Sequence, residues 1–259
     1  MLARPNITRH CSAFLITLEL NQSIDYIYNV FGINIQEKPV IETTRKARPS
    51  AEQTRVSLIS SGLRLFGERG FEATSTRHIA ADAGANIASI AYHFGGKEGL
   101  RLACAETVVD KFREMAGPLV LASDPGENEE YAVRVIETAL VSMIRFFTAQ
   151  PEARDIAAFV MREMIQPGAV IDLIYREMMF PFHSALCRLW GVATHQNSDS
   201  PATRLAVFAV IGQVIYFRLG QPVICRRMGW KAVGPKEADQ IIAVITGNLR
   251  ALVLAAKDD

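Results

Sequence analysis

From Ala51 onward, apolar residues recur every three or four positions, the period of a helix that buries one face. Val56, Ile59, Leu63 and Phe66 form the first such stripe. Ser50 precedes it as a cap with Glu52 and Gln53 in the first turn, and Gly70 follows it as a stop. "TSTRHIAADAG" predicts a short second helix capped by Thr74, Ser75 or Thr76, running through Ala83 and stopped by Gly84. Asn86 caps a third helix from Ile87 to Phe94, which Gly95 and Gly96 end. Lys97 opens a fourth that runs to about Gly117. Long apolar helices follow, punctuated at residues 123–130, at Pro151, and at residues 166–168, 194–201 and 229–235. No stretch alternates with period two, so an all-α chain is expected.

Residues 1–50 show no sustained period and read as a poorly ordered or extra N-terminal extension. An alternative is a native start further downstream, with Val40 as a candidate. Residues 51–100 then read as a helix-turn-helix unit, and residues 101–259 as a larger helical unit. Charge divides along similar lines. Residues 45–101 hold nine Lys/Arg against five Asp/Glu, whereas residues 102–259 hold sixteen against eighteen. A basic excess confined to the short helices points to an anionic partner there.

The four cysteines, Cys11, Cys104, Cys187 and Cys225, are scattered without a C-x-x-C pair, which suits a reducing cytoplasm and buried thiols. The longest apolar run, residues 205–217, is short for a bilayer and bracketed by Arg204 and Arg218, so it reads as a core or interface helix. No membrane partner is expected. The sequence carries no G-x-S-x-G, no phosphate-cradling glycine loop and no H-E-x-x-H. Its five histidines have no metal spacing. An enzyme, a metal site and a cofactor are therefore not expected.

Two short helices joined by a glycine turn suit entry into a DNA major groove ~12 Å wide. An eight-residue helix is only ~12 Å long, short enough to insert end-on. The residues that carry this pattern are Phe66, Gly70 and Phe71, Thr76, Ile79-Ala80, Ala83-Gly84, and His93-Phe94-x-x-Lys97-Glu98-x-Leu100. In this combination the chain resembles the TetR/AcrR family of bacterial regulators over residues 53–100. "NIASIAYHF" and the later "FVMREMIQP" resemble its CecR-type branch.

The resemblance implies roles. Thr76 caps the second helix and meets a phosphate, Arg77 reaches a base, and Ile87 and Ala88 lead the recognition helix. His93 and Lys97 grip the backbone on either side of the groove. Ala91 stands where the family often has tyrosine and Tyr92 follows one place later, about 100° round the helix. Its phosphate contact is set against half-buried packing; for His93 and Lys97 the alternatives are packing and a solvated helix start. Ile90 and Phe94 face the core. The alanines offer methyl contact to thymine but no bidentate pairing. Specificity then falls to Arg77, Asn86, Ser89, DNA shape and the basic arm at residues 45–48.

The family resemblance also implies a ligand-binding and dimerisation unit and repression released by a small molecule. The helices at residues 203–220 and 236–256 suit half of a four-helix dimer interface, with Ala206, Ala209, Gly212, Ala243 and Gly247 permitting close approach; the alternative is an internal core. A pocket is expected between helices of residues 131–190. Arg145, Arg162, Glu163, His183, Gln213 and Arg218 are its candidate polar groups. Arg162 and Glu163 are alternatively an internal ion pair or a cap on the break at residues 166–168. Phe146, Phe147, Phe159, Met161, Met164, Met178 and Met179 read as core. The expected partners are a palindromic operator in double-stranded DNA, a small-molecule effector and a second copy of the chain. A ligand-independent DNA-binding protein and an activator are the rival readings.

Overall fold

Serine side chains cap the first two helices. The computed structural model describes residues 50–150, 152–166 and 168–257, and these are helical with no strand among them. The N-terminal extension, the basic arm at residues 45–48, Cys11 and Pro151 lie outside the described residues. α1 spans Ala51–Arg69 and opens on a capping box: the Ser50 hydroxyl accepts the Gln53 N–H at 3.1 Å, and the Gln53 side chain accepts the Ser50 N–H at 2.8 Å. α2 (Thr76–Asp82) begins at Ser75, whose hydroxyl accepts the His78 N–H at 3.2 Å, so Ser75 rather than Thr76 is the cap. α3 is Ala88–Phe94; Asn86 accepts the Ala88 N–H at 2.9 Å and starts the turn. Gly84 takes φ +63° between α2 and α3, a left-handed turn that L side chains rarely adopt.

α4 runs Lys97–Val120, past the expected stop at Gly117 and through Pro118. α5 (Glu129–Ala149) and α6 (Glu152–Ile165) follow. α7 (Ala169–Ile174) passes through a π-helical turn, Tyr175–Met179, directly into α8 (Phe180–Thr194). Then come α9 (Pro201–Leu219), α10 (Gln221–Met228) and α11 (Pro235–Lys257).

Two apolar clusters hold these helices. The first joins Leu58, Leu65 and Phe66 of α1 to Ile79 and Ile90, and extends beyond residue 100 to Cys104, Val108, Ile156, Phe159 and Ile174. The buried stripe in α1 is wider than expected: Leu58 and Leu65 join Ile59, Leu63 and Phe66, and of the expected residues only Val56 is exposed. α6 packs along α1 because Gly67 admits it; a Cβ there would meet the Phe159 backbone nitrogen at 2.9 Å. The second cluster is the bundle of α5, α8, α9 and α11, centred on Leu140, Leu186, Trp190, Val210, Ile245 and Leu249.

α9 and α11 bury only one stripe each. Leu205, Phe208, Tyr216, Val244 and Leu254 are exposed on them. Both helices are long and apolar enough to cross a membrane, although the uninterrupted apolar run of α9 is shorter, and less than a third of either stretch is buried within the chain.

Candidate nucleic-acid interface and ligand cleft

The helix pair is built from the inside outward. Ile79, Ala80 and Ile90 anchor α2 and α3 in the first cluster. Thr74 closes the approach to α2 by donating to the carbonyls of Gly70 and Leu65 at 2.7 and 3.1 Å. Arg64 of α1 pairs with Asp82 at the end of α2. Hydrogen bonds from Ser61, then from Arg64, hold the Asp82 carboxyl below its ordinary pKa, against the opposing effect of burial.

With that face buried, the opposite face of α3 is bare. Ile87 and Ala88 are exposed at its leading end and Tyr92 is 82% exposed at its trailing end. Arg77 and Asn86 are exposed beside them; Thr76, Ser89 and His93 are half-buried. Seven of the nine residues expected to contact DNA thus lie in one short helix, in the two residues before it and at Lys97, and two at the start of α2. A ring as exposed as that of Tyr92 contributes little packing. His93 lies edge-on to Tyr92, with ring centres 4.9 Å apart. Lys97 is engaged within the chain: its ammonium lies 4.1 Å from the centre of the Phe71 ring, and the Arg101 guanidinium lies 4.6 Å from the same ring.

Two residues outside the sequence expectation set this geometry. Gly99, in the first turn of α4, lets the Phe94 carbonyl sit against its α-carbon; an added Cβ would collide with that oxygen. A glycine in a helix interior costs stability relative to alanine, and this was the signal available in the sequence. Gly99→Ala should push α3 away from α4, with an overpacking cost of about 1–3 kcal/mol. Thermal melting and operator titration check it; wild-type values in both would show that the junction opens freely. The second residue is Arg101. Its Nε and Nη2 donate to the two carboxylate oxygens of Glu163 at 2.9 and 2.5 Å, and Glu163 is only 2% exposed. Arg162 and Glu163 therefore do not pair with each other. Arg162 instead donates to the Glu68 carbonyl at 3.0 Å.

The remaining candidate ligand groups are also engaged within the chain. Arg145 pairs with Asp239 at 3.0 Å, and Gln213 accepts from Asn248 at 2.8 Å. His183 stacks on Phe208 at 3.9 Å and hydrogen-bonds the Arg204 carbonyl at 3.1 Å. The space inside the bundle beside Ile144, Phe147 and Val214 is about 10 Å³, room for a single water. A larger cleft of about 490 Å³ opens between α6, the end of α9, α10 and the loop before α11. Arg154, Arg218, Gln221 and Lys231 supply its polar lining. Arg218 and Gln221 also border the small internal space. Of the expected ligand groups only Arg218 lines this cleft. Burial lowers its pKa, as does the charge of Arg154, while Asp155 opposes them.

Comparison with known proteins agrees with this architecture. Residues 58–104 match the family described as bacterial regulatory proteins, tetR family. Residues 132–256 match the C-terminal domain of the HTH-type transcriptional dual regulator CecR. The chain is 36% identical over 200 residues to CecR of Shigella flexneri, covering 75% of this chain and 89% of that protein. The chain belongs to the TetR family, in its CecR branch.

Solved TetR-like folds are similar at lower identity. A TetR-like transcriptional regulator from Rhodococcus sp. RHA1 is 20% identical with a TM-score of 0.57, covering 80% of this chain and 98% of that one. AibR, solved with isovaleryl coenzyme A and operator DNA, is 18% identical with a TM-score of 0.58, covering 75% and 96%. As a TetR-family member the chain is a DNA-binding transcriptional regulator.

Proposed function

We propose that this TetR-family regulator works as a cytoplasmic homodimeric repressor, held on a palindromic operator and released by a small molecule that it binds without turnover. The observation that carries the reading is α4. Its first turn braces the recognition helix α3, and its Arg101 is forked onto Glu163 of α6, in the ligand-binding unit. In a dimer the two recognition helices must lie one duplex turn apart, ~34–36 Å. A ligand that favours another spacing lowers DNA affinity, typically by ~1–3 kcal/mol of coupling. AibR, solved with isovaleryl coenzyme A and operator DNA, supports a small-molecule site and a DNA face on this kind of fold. The exposed apolar stripes of α9 and α11 supply a surface for the second copy, which would cover what otherwise resembles membrane-length helices. A second reading, activation at some promoters, is favoured by the designation of the Shigella relative as a dual regulator.

The proposed DNA face comprises Thr76, Arg77, Asn86, Ile87, Ala88, Ser89, Tyr92, His93 and Lys97. Fluorescence anisotropy with a specific and a scrambled duplex tests it. Arg77→Ala should cost about 1–3 kcal/mol on the operator alone. Tyr92→Ala and Lys97→Ala should weaken both duplexes alike, and Lys97→Ala should flatten the salt slope by about one. If Arg77→Ala loses both duplexes equally, the division of labour is wrong. Ligand release is refuted if every compound that binds the larger unit leaves operator affinity unchanged.

A further inference from the structure

Three cations converge on the cleft beside α6, and no carboxylate lines it. Arg154 projects from α6, Arg218 from the last turn of α9, and Lys231 from the loop before α11. Gln221 is the neutral polar lining group. Ala157, Ala158, Leu219, Pro222, Cys225 and Ala232 make the rest of the wall apolar. Among the described residues, no ion pair engages any of the three cations. Arg218 spends one donor on the Gln221 side chain at 2.6 Å, and its buried Nε has no partner. Asp155, whose charge acts on both Arg218 and Arg154, follows Arg154 on α6 but does not line the cleft.

Like charges gathered on a partly apolar wall, with a buried donor unspent, cost free energy that a bound anion would recover. The volume lies in the range of small-molecule sites. We infer that this cleft binds an amphipathic organic anion, with the acid group on Arg218, Arg154 and Lys231 and an apolar body along Ala157, Ala158 and Pro222. The inference rests on the reading of the chain as a ligand-controlled regulator and names the class of ligand.

The probe is anilinonaphthalene sulfonate, with N-phenylnaphthylamine as its counterpart lacking the acid group. Titrated into the full chain, the sulfonate should bind saturably with a micromolar dissociation constant and the amine at least tenfold more weakly. Arg218→Gln, Arg154→Gln and Lys231→Gln should each weaken the sulfonate at least fivefold and leave the amine alone. Lys231 is exposed, so its variant reports on charge without a folding cost. In a Cys11→Ser background, the sulfonate should also slow labelling of half-exposed Cys225, since Cys104 and Cys187 are buried.

Equal affinity for the two dyes, absence of saturable sulfonate binding, or unslowed Cys225 labelling each overturns the inference. So does a loss of operator affinity in the glutamine variants without dye, which would mean that the cations serve DNA phosphates instead. If the sulfonate binds here yet the operator stays bound, the anion site stands on its own, whatever compound releases the operator. If another compound releases the operator while the sulfonate never binds, the release reading survives and the anion site falls.

Discussion

Arg101→Met should destabilise the chain by about 3 kcal/mol, the cost expected when one partner of a buried ion pair is removed. The size follows from the asymmetry of the pair. Glu163 is almost fully buried, and Arg101 satisfies both of its oxygens. Without the guanidinium a carboxylate stays buried with neither charge partner nor donor, and the desolvation cost stands uncompensated. The Phe71 ring also loses one of the two cations stacked on it. Glu163→Gln should cost less, because an amide tolerates burial better and can still accept from Arg101. The double variant Arg101→Met with Glu163→Leu should recover most of the loss, since an apolar pair of similar volume needs no compensation. Urea unfolding of wild type, Arg101→Met, Glu163→Leu and the double variant forms the cycle, with Glu163→Gln measured beside it. A single variant within about 0.5 kcal/mol of wild type would show that Glu163 reaches water or another donor on relaxation.

Gly247→Arg should abolish dimerisation and lower operator affinity at least a hundredfold, while the single chain keeps its fold. A Cβ added at Gly247 or Gly212 meets nothing within 4 Å in the single chain. Both glycines nonetheless sit inside apolar helices, where each costs about 1 kcal/mol relative to alanine. Exposed glycines that the chain itself does not need make sense where a second backbone comes close. Exposed Ala243 and Val244 flank the α11 site, and Leu205, Phe208 and Tyr216 line the same side of α9. The factor of a hundred is the lower end of what linking two half-sites gives over one. Gly247→Ala supplies a control with opposite signs: it should stabilise the isolated helix by about 0.5–1 kcal/mol but weaken a close-packed dimer. Sedimentation and operator titration read the two effects separately. A Gly247→Arg protein that still sediments as a dimer places the interface elsewhere.

Legibility in the sequence followed the range of the physics. Ser50, Gly70 and Gly84 act within one helical turn, so their consequences could be read directly, whereas Asn86 stands one residue before the cap position and starts the turn rather than capping α3. The buried arc of α1 kept Ile59, Leu63 and Phe66, gained Leu58 and Leu65 and left out Val56, because α6 packs across α1 and widens it beyond a single stripe. The cap of α2 moved from Thr76 to Ser75 because three neighbouring hydroxyl residues compete and only backbone direction chooses among them. Arg145, Arg162, Glu163, His183 and Gln213 were polar residues on apolar helices, which marks them as needing partners without saying whether those partners are internal or a ligand.

The sequence by itself determined the helical class, the approximate bounds of the first three helices, the helix-turn-helix pattern and the TetR-family relationship. The first three rest on hydrogen bonds, caps and periodicities that span a few residues, and the family relationship on a resemblance over residues 53–100. Only the tertiary structure decided that Glu163 is answered by Arg101, sixty-two residues away, that the Phe94 carbonyl rests on Gly99, and that three cations from separate helices and a loop share one cleft. Each of these depends on where packing brings distant segments, because charge neutralisation and free space are properties of the assembled interior and not of any local pattern.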